Sequence, residues 1–307
     1  PAEPLFRSTN MLLEEFSNEE RLLFFRLLGK EEAADTFVEL EPDNQKALIH
    51  AFSDNELREV LDELYLDDTV DMIEEMPATV VKRILRNTDV ETRASINTLL
   101  RYPEDSAGSI MTPEFVDLKR DMTVEDAFKR IRRTGVDKET IYTCYVTDAS
   151  RHLLGVTTVK ELLLHDQDDR IEAFMETNVI YVNTLSDQEE AAAQLSKYDF
   201  LALPVVDLEE RLVGIITVDD AMDVIQEENT EDIQKMNAIV PTERTYLKTG
   251  VLATWKSRIP WLLLLMVSAT FTGSIITSFE DKLASMIILT SFIPMLMDTG
   301  GNSGGQA

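Results

Sequence analysis

Apolar residues in the first third of the chain recur at three- and four-residue steps, as in Leu57, Val60, Leu61 and Leu64. This spacing predicts helices with one buried face. A loose repeat accompanies it, because Ala34–Leu40 resembles Val70–Met76 at a spacing of 36 residues, with a proline after each copy. Stacked helical pairs of such a period form a superhelix. We therefore predict an all-α superhelical domain over residues 1–104.

The next part of the chain contains a clearer duplication. Tyr145–Val159 and Pro204–Val218 both read as strand, charged turn, strand and helix start. In each copy an aspartate (Asp148 or Asp207) stands seven residues before a glycine, and a valine follows four residues later. β-branched runs around a charged turn are typical of hairpins. We predict two α/β halves in tandem, at residues 105–169 and 170–230.

The pattern becomes almost wholly apolar towards the end. Ile259–Phe279 holds 21 residues without a charge, which is long enough to cross about 30 Å of hydrocarbon. Lysine and arginine residues precede this run, and such flanks lie on the cytoplasmic side; they are Lys248, Lys256 and Arg258. A shorter apolar run, Leu283–Met297, follows a charged turn. We predict transmembrane helices within 257–307 and a long connecting helix over 231–256, which Pro241 breaks or kinks.

Composition narrows the function. The 307 residues hold 29 basic and 57 acidic side chains, so the net charge is 29 − 57 = −28, which repels nucleic acid and attracts cations. The single cysteine, Cys144, excludes an intrachain disulfide, and the three histidines lack ligand spacing, so zinc is not expected. The N-terminal residues contain no signal peptide, and we expect the domains before the apolar run to be cytoplasmic.

The acid is concentrated at one place. Residues 219–232 contain seven carboxylates in fourteen residues and no lysine or arginine. Like charges at helical spacing oppose a helix, so this segment packs against other acids only with cations between them. Hard divalent ions prefer oxygen ligands, and magnesium keeps several waters. Further candidate acids are Asp67, Asp71, Asp187, Glu189, Glu190 and Asp199. The alternative for each acid is an ordinary solvated surface.

Two resemblances emerge from these motifs. Met111-Thr-Pro113 and the duplicated Asp-x6-Gly-x3-Val pattern resemble a pair of CBS domains, which are regulatory modules that often bind adenosyl nucleotides. Pro294–Gln306 contains four glycines with one aspartate and one asparagine, and it resembles the signature of the second membrane helix of MgtE-family magnesium channels. The helical domain, the CBS pair and the acidic connector match the same family.

The MgtE resemblance implies a homodimer with five membrane helices per subunit, in the bacterial inner membrane, in which intracellular magnesium closes a magnesium-conducting pore. The sequence reaches two of those helices, so this stretch alone is expected to sense and not to conduct. Regulatory Mg²⁺ ligands implied by the family are Asp67, Asp71, Gly108 through its carbonyl, Asp187, Glu189, Asp199, Asp220, Asp223, Glu228, Glu231 and Asp232. Expected pore-lining residues are Thr299, Gly301 and Asn302.

Nucleotide binding is a separate question. Family members can bind ATP between the CBS halves, and the candidate contacts here are Lys160, Phe200 and Asp223. Thr143 stands where an aromatic residue is expected to stack on adenine, which argues against ATP. One alternative function is therefore a nucleotide-sensing CBS module of another membrane transporter. A third reading, an enzyme with a regulatory CBS pair, lacks a catalytic set in the sequence, and we predict that the protein is not an enzyme.

Overall fold

A computed structural model describes residue 13 and residues 16–237, 239–241, 250–285 and 287–305. Two compact units are present, Pro1–Gln226 and Glu227–Ala307. From residue 16 onward, the described part of the first unit contains seven helices before its first strand: α1 Asn18–Phe25, α2 Lys30–Val38, α3 Pro42–Ala51, α4 Asp54–Leu61, α5 Leu66–Glu75, α6 Ala78–Asn87 and α7 Val90–Leu99. The all-α prediction for this region is confirmed.

Each of several helices packs on the second helix after it, so that α1 contacts α3, α2 contacts α4, α4 contacts α6 and α5 contacts α7. This is the arrangement of stacked helical pairs. The loose sequence repeat falls on α2 and α5, and the prolines after its two copies start or precede the next helix. Equivalent repeat positions, Phe37 and Ile73, are both buried in one continuous apolar core.

The CBS halves follow with matching order. The first contains β1 Phe115–Lys119, α8 Val124–Thr134, β2 Thr140–Thr147, β3 Leu153–Thr158 and α9 Val159–Leu164. The second contains β4 Val182–Asn183, α10 Gln188–Tyr198, β5 Ala202–Val206, β6 Leu212–Thr217 and α11 Val218–Met236. In each half the first two strands are parallel, and the last two are an antiparallel hairpin.

The two halves exchange short segments across their boundary. Thr112, which precedes the first sheet, forms a bridge with Ile215 of β6, and Glu176, which precedes the second sheet, forms one with Val156 of β3. Phe115 and Tyr145 of the first half share an apolar cluster with Ile215 of the second. The first and second halves are therefore one packed body, as expected for a CBS pair.

The second unit contains one helix that is long and apolar enough to span a bilayer among the described residues, α12 Val251–Ser278, and none of its most apolar stretch is buried. It carries Pro260 and two tryptophans, Trp255 and Trp261, near its start. The second apolar run is not one continuous helix: it consists of α13 Glu280–Ser285, a 3₁₀ turn Ile287–Ser291 and α14 Phe292–Gly305. Pro294 lies in the first turn of α14, where a missing amide costs no hydrogen bond.

The region 231–256, which was predicted to form one long connecting helix, is also divided into helical and non-helical parts. Residues 231–236 continue α11, residues 239–241 are not helical and α12 starts at Val251. Pro241, which cannot donate a backbone hydrogen bond, stands at the end of the irregular part. Lys248 lies in 242–249, outside the described residues, as do Pro1–Asn10 and Gln306.

Candidate metal centre

The first turn of α5 brings an aspartate against the CBS pair. Asp67 is only 6% exposed, and its Oδ1 accepts a hydrogen bond from the amide of Asp68 at 3.0 Å. Carboxylate oxygens of Asp67, Glu114 and Glu139 all lie within 4.8 Å of one another. Glu114 precedes β1 and Glu139 precedes β2, so three chain segments from two domains meet here.

Backbone contacts fix the two glutamates. The amide of Glu139 donates to the carbonyl oxygen of Glu114 at 2.9 Å, which ties the approaches to β1 and β2 together. One side-chain oxygen of Glu114 accepts from the amide of Leu66 at 3.0 Å. The Oε2 atom of Glu139 is buried and has no hydrogen-bond partner among the described residues. A buried carboxylate oxygen in that state needs a cation or a proton.

The second CBS half adds a fourth carboxylate. Asp220 lies in the first turn of α11 and accepts a hydrogen bond from the hydroxyl of Thr217. The negative charge of Asp220 raises the pKa values of Asp67, Asp68 and Glu139. We call these five acids, Asp67, Asp68, Glu114, Glu139 and Asp220, the acidic junction.

The electrostatics of the acidic junction are unfavourable without a counterion. Burial, followed by the charges of Asp220 and Asp68, raises the pKa of Asp67 well above its ordinary value. Burial and Asp220 likewise raise the pKa of Asp68 to about 7 and that of Glu139 to about 8. The pKa of Asp220 rises to about 6, chiefly through burial, although the Thr217 hydrogen bond opposes the rise. These four carboxylates are thus more costly to ionise here than in water.

The donor set fits a hard divalent cation. Every group in the acidic junction is a carboxylate, and oxygen-only sites suit magnesium or calcium more than zinc. The described residues contain one group of three or more candidate ligands whose donor atoms lie this close together. Asp67, Glu114 and Glu139 are therefore the residues that would hold the ion, with Asp220 as a further charged neighbour.

Other predicted ligands lie elsewhere. Asp71 is on α5 but its side chain is exposed, whereas Asp67 on the same helix is buried. The segment before Gly108 lies along the turn before α10: Ser106 forms a bridge with Asp187, and the Gly108 amide donates to Thr184 O at 2.9 Å. The structure therefore brings the neighbourhoods of Gly108 and Asp187 together.

The α10 acids have local structural roles. Asp187 is the N-cap of α10 and accepts from the amide of Glu189 at 2.9 Å. Asp199 is the C-cap of the same helix with φ of 53°, a left-handed conformation that aspartate tolerates better than most residues. All three side chains are exposed, so each is open to an ion from solvent.

The remaining connector acids share α11. Asp223 and Asp232 are exposed, while Glu228 and Glu231 are partly buried. Glu231 forms an ion pair with Lys235 at 2.8 Å. Lys235, three residues after the acidic run 219–232, thus neutralises one member of that run.

The nucleotide and pore candidates are also located. Lys160 is exposed at the start of α9, and Phe200 stacks on Tyr198 with ring centroids 5.5 Å apart. In α14 the hydroxyl of Thr299 donates to Met295 O at 2.8 Å, and Asn302 Nδ2 lies 3.5 Å from Asp298 Oδ2. Gly301 has no neighbouring atom within 4 Å of a hypothetical Cβ among the described residues.

Sequence reasoning identified Asp67 and Asp220 but missed Glu114, Glu139 and Asp68. Glu114 directly follows the Met111-Thr-Pro113 motif, so its position before a strand was a usable signal. Asp68 directly follows Asp67, which was already a candidate ligand. Nothing in the linear sequence connects Glu139 with residues 72 positions earlier, since Asp67 and Glu139 meet only through the docking of two domains.

Comparison with known protein families agrees with this architecture. Residues 8–105 match the family "MgtE intracellular N domain", and residues 107–168 and 171–227 match the CBS domain. The chain is 41% identical over 300 residues to the magnesium transporter MgtE of Thermus thermophilus and 32% identical over 296 residues to that of Bacillus subtilis. These alignments cover 96% of this chain but 66% and 65% of those relatives.

Solved structures give the same result for the first unit. The cytosolic domain of the Mg²⁺ channel MgtE in complex with ATP aligns at 41% identity with a TM-score of 0.68, covering 71% of this chain and 90% of that one. The soluble part of a magnesium transporter aligns at 33% identity with a TM-score of 0.68, covering 73% and 88%. Both relatives are named as magnesium transporters.

Proposed function

Because the chain belongs to the MgtE family, we propose that it senses intracellular magnesium and closes a magnesium-conducting pore when magnesium is high. The observation that carries the proposal is the acidic junction between the helical domain and the CBS pair. Asp67, Glu114 and Glu139 come within 4.8 Å of one another there, largely out of solvent. Such a contact between ionised groups is stable only when a cation neutralises it.

The gating mechanism follows from that requirement. With magnesium bound, the helical domain docks on the CBS pair. Without it, mutual repulsion of the carboxylates favours separation, so magnesium shifts a population between two arrangements. The shift cannot exceed the difference in magnesium affinity between the two arrangements. A water-rich site of few carboxylates suits weak, millimolar binding better than a tight cage does.

The other predicted ligands belong to the same sensor in this proposal. Exposed acids at Asp187, Glu189 and Asp199 and the carbonyl of Gly108 hold further ions on the CBS pair. The acids of α11, namely Asp223, Glu228, Glu231 and Asp232, hold ions along that helix. Asp71 on α5 contributes from the helical domain. Thr299, Gly301 and Asn302 of α14 line the pore.

The remaining expectations concern assembly and location. We propose a homodimer in the bacterial inner membrane, with the helical domain and the CBS pair in the cytoplasm and several membrane helices per subunit, joined to the CBS pair through a connecting helical region. α12 supports membrane insertion, since its apolar length suffices for one span.

ATP is a second candidate ligand. A similar cytosolic domain has been solved in complex with ATP, which supports binding, whereas Thr143 in place of an aromatic opposes it. Lys160, Phe200 and Asp223 are the contacts we propose to test. A nucleotide-sensing role without a magnesium response is the alternative function.

Limited proteolysis of the whole chain in detergent tests the sensor. We expect millimolar Mg²⁺ to slow cleavage between the helical domain and the CBS pair, because docking shields that boundary. ATP is added in a separate arm. No protection by magnesium would overturn the proposal, and protection by ATP alone would favour the nucleotide-sensing alternative.

The same assay tests the acids. Asp220→Ala combined with Asp223→Ala should raise the magnesium concentration that gives half protection, because both side chains lie on the first turns of α11. Asp43→Ala combined with Asp168→Ala removes two exposed aspartates and serves as the charge-matched control. An equal midpoint in the test variant and the control would exclude Asp220 and Asp223 from the sensor.

A further inference from the structure

The N-terminus of α5 receives its cap from another domain. Its N-cap residue, Tyr65, makes no capping hydrogen bond through its side chain within the described part of the chain. The first backbone amide of the helix, that of Leu66, donates instead to Oε2 of Glu114 at 3.0 Å, across 48 positions of sequence. First-turn amides have no partner inside a helix, so this hydrogen bond satisfies a donor that would otherwise be unpaired.

Glu114 is held in place for this contact from the CBS side. Its amide lies 3.4 Å from Thr112 Oγ1, and its carbonyl oxygen accepts from the amide of Glu139. Thr112 itself bridges to Ile215 of the second CBS half. The glutamate therefore stands on a backbone segment that both CBS halves fix, and the helix end must move to it.

The chemistry of the contact is that of a charge-assisted cap. A carboxylate near a helix N-terminus interacts favourably with the partial positive charge there, and a hydrogen bond to an ionised acceptor is stronger than a neutral one. The contact also joins one end of α5 to a fixed point of the CBS pair, since Leu66 N is the donor and Glu114 Oε2 is the acceptor.

We infer that Glu114 is a positioning residue: it caps α5 across the domain boundary and so fixes the register in which the helical domain docks on the CBS pair. The inference rests on the proposed docking of these domains and assigns Glu114 a role distinct from binding an ion. Glu114 has two opposite effects on docking. Its charge adds to the repulsion within the acidic junction, whereas its hydrogen bond stabilises the docked arrangement.

Two substitutions separate these effects. Glu114→Gln removes the charge and keeps an oxygen that accepts from Leu66, whereas Glu114→Ala removes both. Hydrogen exchange of the Leu66 amide is measured in the whole chain in detergent with saturating Mg²⁺. We expect about tenfold faster exchange in Glu114→Ala and near wild-type protection in Glu114→Gln. Unchanged exchange in Glu114→Ala would overturn the inference.

The magnesium midpoint of proteolytic protection supplies the second measurement. Because Glu114 is also a candidate ligand, the loss of its charge raises the midpoint in both variants, and a cap predicts a midpoint about threefold higher in Glu114→Ala than in Glu114→Gln. Equal increases in both variants would instead make Glu114 a metal ligand only, and equal decreases would make it a source of repulsion only; either result overturns the inference. Glu20→Ala is the control, because Glu20 accepts from the Ser17 amide at 2.9 Å within its own helix end.

The outcomes remain distinguishable from those of the proposed function. Loss of Leu66 protection in Glu114→Ala with rescue in Glu114→Gln supports the cap even if wild-type protein shows no magnesium response. That missing response would overturn the sensor alone. A normal magnesium response with an unchanged Leu66 amide would overturn the cap and leave the sensor in place.

Discussion

Asp67 lies where an ionised side chain is least expected. It is almost completely buried, and its pKa is raised by burial and by the nearby Asp220 and Asp68. Removing one partner of a buried charge network usually destabilises a protein because the remaining charge is left unpaired. Here the network consists of like charges, so the argument reverses: the removal of one carboxylate relieves repulsion when no metal is bound.

Replacing Asp67 by asparagine therefore has opposite effects with and without metal. In the presence of a chelator, we expect Asp67→Asn to raise the thermal unfolding midpoint of the first unit by about 2–4 °C, because an isosteric neutral group replaces a buried charge. With Mg²⁺, the additional stabilisation seen in wild-type protein should shrink, because a ligand is lost. Thermal unfolding followed by circular dichroism in both conditions measures the two effects.

Asp43→Asn provides the matched control, since Asp43 is an exposed aspartate in the first turn of another helix of the same domain. It should change neither midpoint appreciably. If Asp67→Asn lowered the unfolding midpoint of the chelator-treated protein, repulsion at the acidic junction would not be the force that separates the domains.

At the same scale, sequence reasoning located individual acids better than their partners. Asp67 and Asp220 were named as ligands through family resemblance, and the structure places both at one junction. Asp67 and Asp71, both candidate ligands, are four residues apart on α5, yet one side chain is buried and the other exposed. Four-residue spacing places two residues near one face of a helix, but only the docked domain decides which of them it covers.

Strand pairing in the CBS pair depends on two glycines at equivalent positions of the duplication. A Cβ on Gly155 of β3 would lie 2.8 Å from the carbonyl oxygen of Glu176. A Cβ on Gly214 of β6 would lie 2.7 Å from the sulfur of Met111 and 3.0 Å from the carbonyl oxygen of Thr112. Each glycine thus lets a segment from the approach to the other half lie against the strand.

The two glycines differ in what blocks a larger residue. We expect Gly155→Ala to lower the free energy of unfolding by about 1–3 kcal/mol, the usual cost of overpacking, because the obstacle is backbone. Gly214→Ala should cost less, because the nearest obstacle is the flexible end of Met111. Urea denaturation of both variants measures the difference, and no loss of stability in either variant would contradict the exchange of segments as the reason for these glycines.

The duplication itself was readable from sequence, including the glycine spacing, because hairpins leave a local pattern of β-branched residues around a turn. The exchange was not readable, since Met111 and Met175 precede the first strands of their own halves but contact a strand of the opposite half. A second membrane helix was also expected over the shorter apolar run Leu283–Met297. Among the described residues that run is divided into short helices, so hydropathy predicted the environment of the segment but not its continuity.

For the whole molecule, the functional effect of the net charge of −28 depends on where the acidic side chains come close together. Scattered over a surface, they would only keep the protein soluble. In the acidic junction, by contrast, carboxylates of two domains approach one another with raised pKa values. Docking of the helical domain on the CBS pair must therefore be coupled to uptake of either divalent cations or protons.

That coupling predicts a pH dependence without metal. In the docked arrangement, burial and then the neighbouring acids raise the pKa of Asp68 to about 7 and that of Glu139 to about 8. To the extent that docking buries these groups, the docked arrangement binds more protons than the separated one between these values and the ordinary range near 4. The docked arrangement is most stable at low pH, and its stability falls as pH rises through about 7–8.

In EDTA, spin labels at Glu63→Cys and Asp121→Cys should report a larger docked fraction at pH 6 than at pH 8. Conversely, Mg²⁺ added to weakly buffered protein at pH 7 should release protons. Equal label distances at both pH values, with no proton release, would mean that these carboxylates are not forced together, and magnesium would then have no repulsion to relieve.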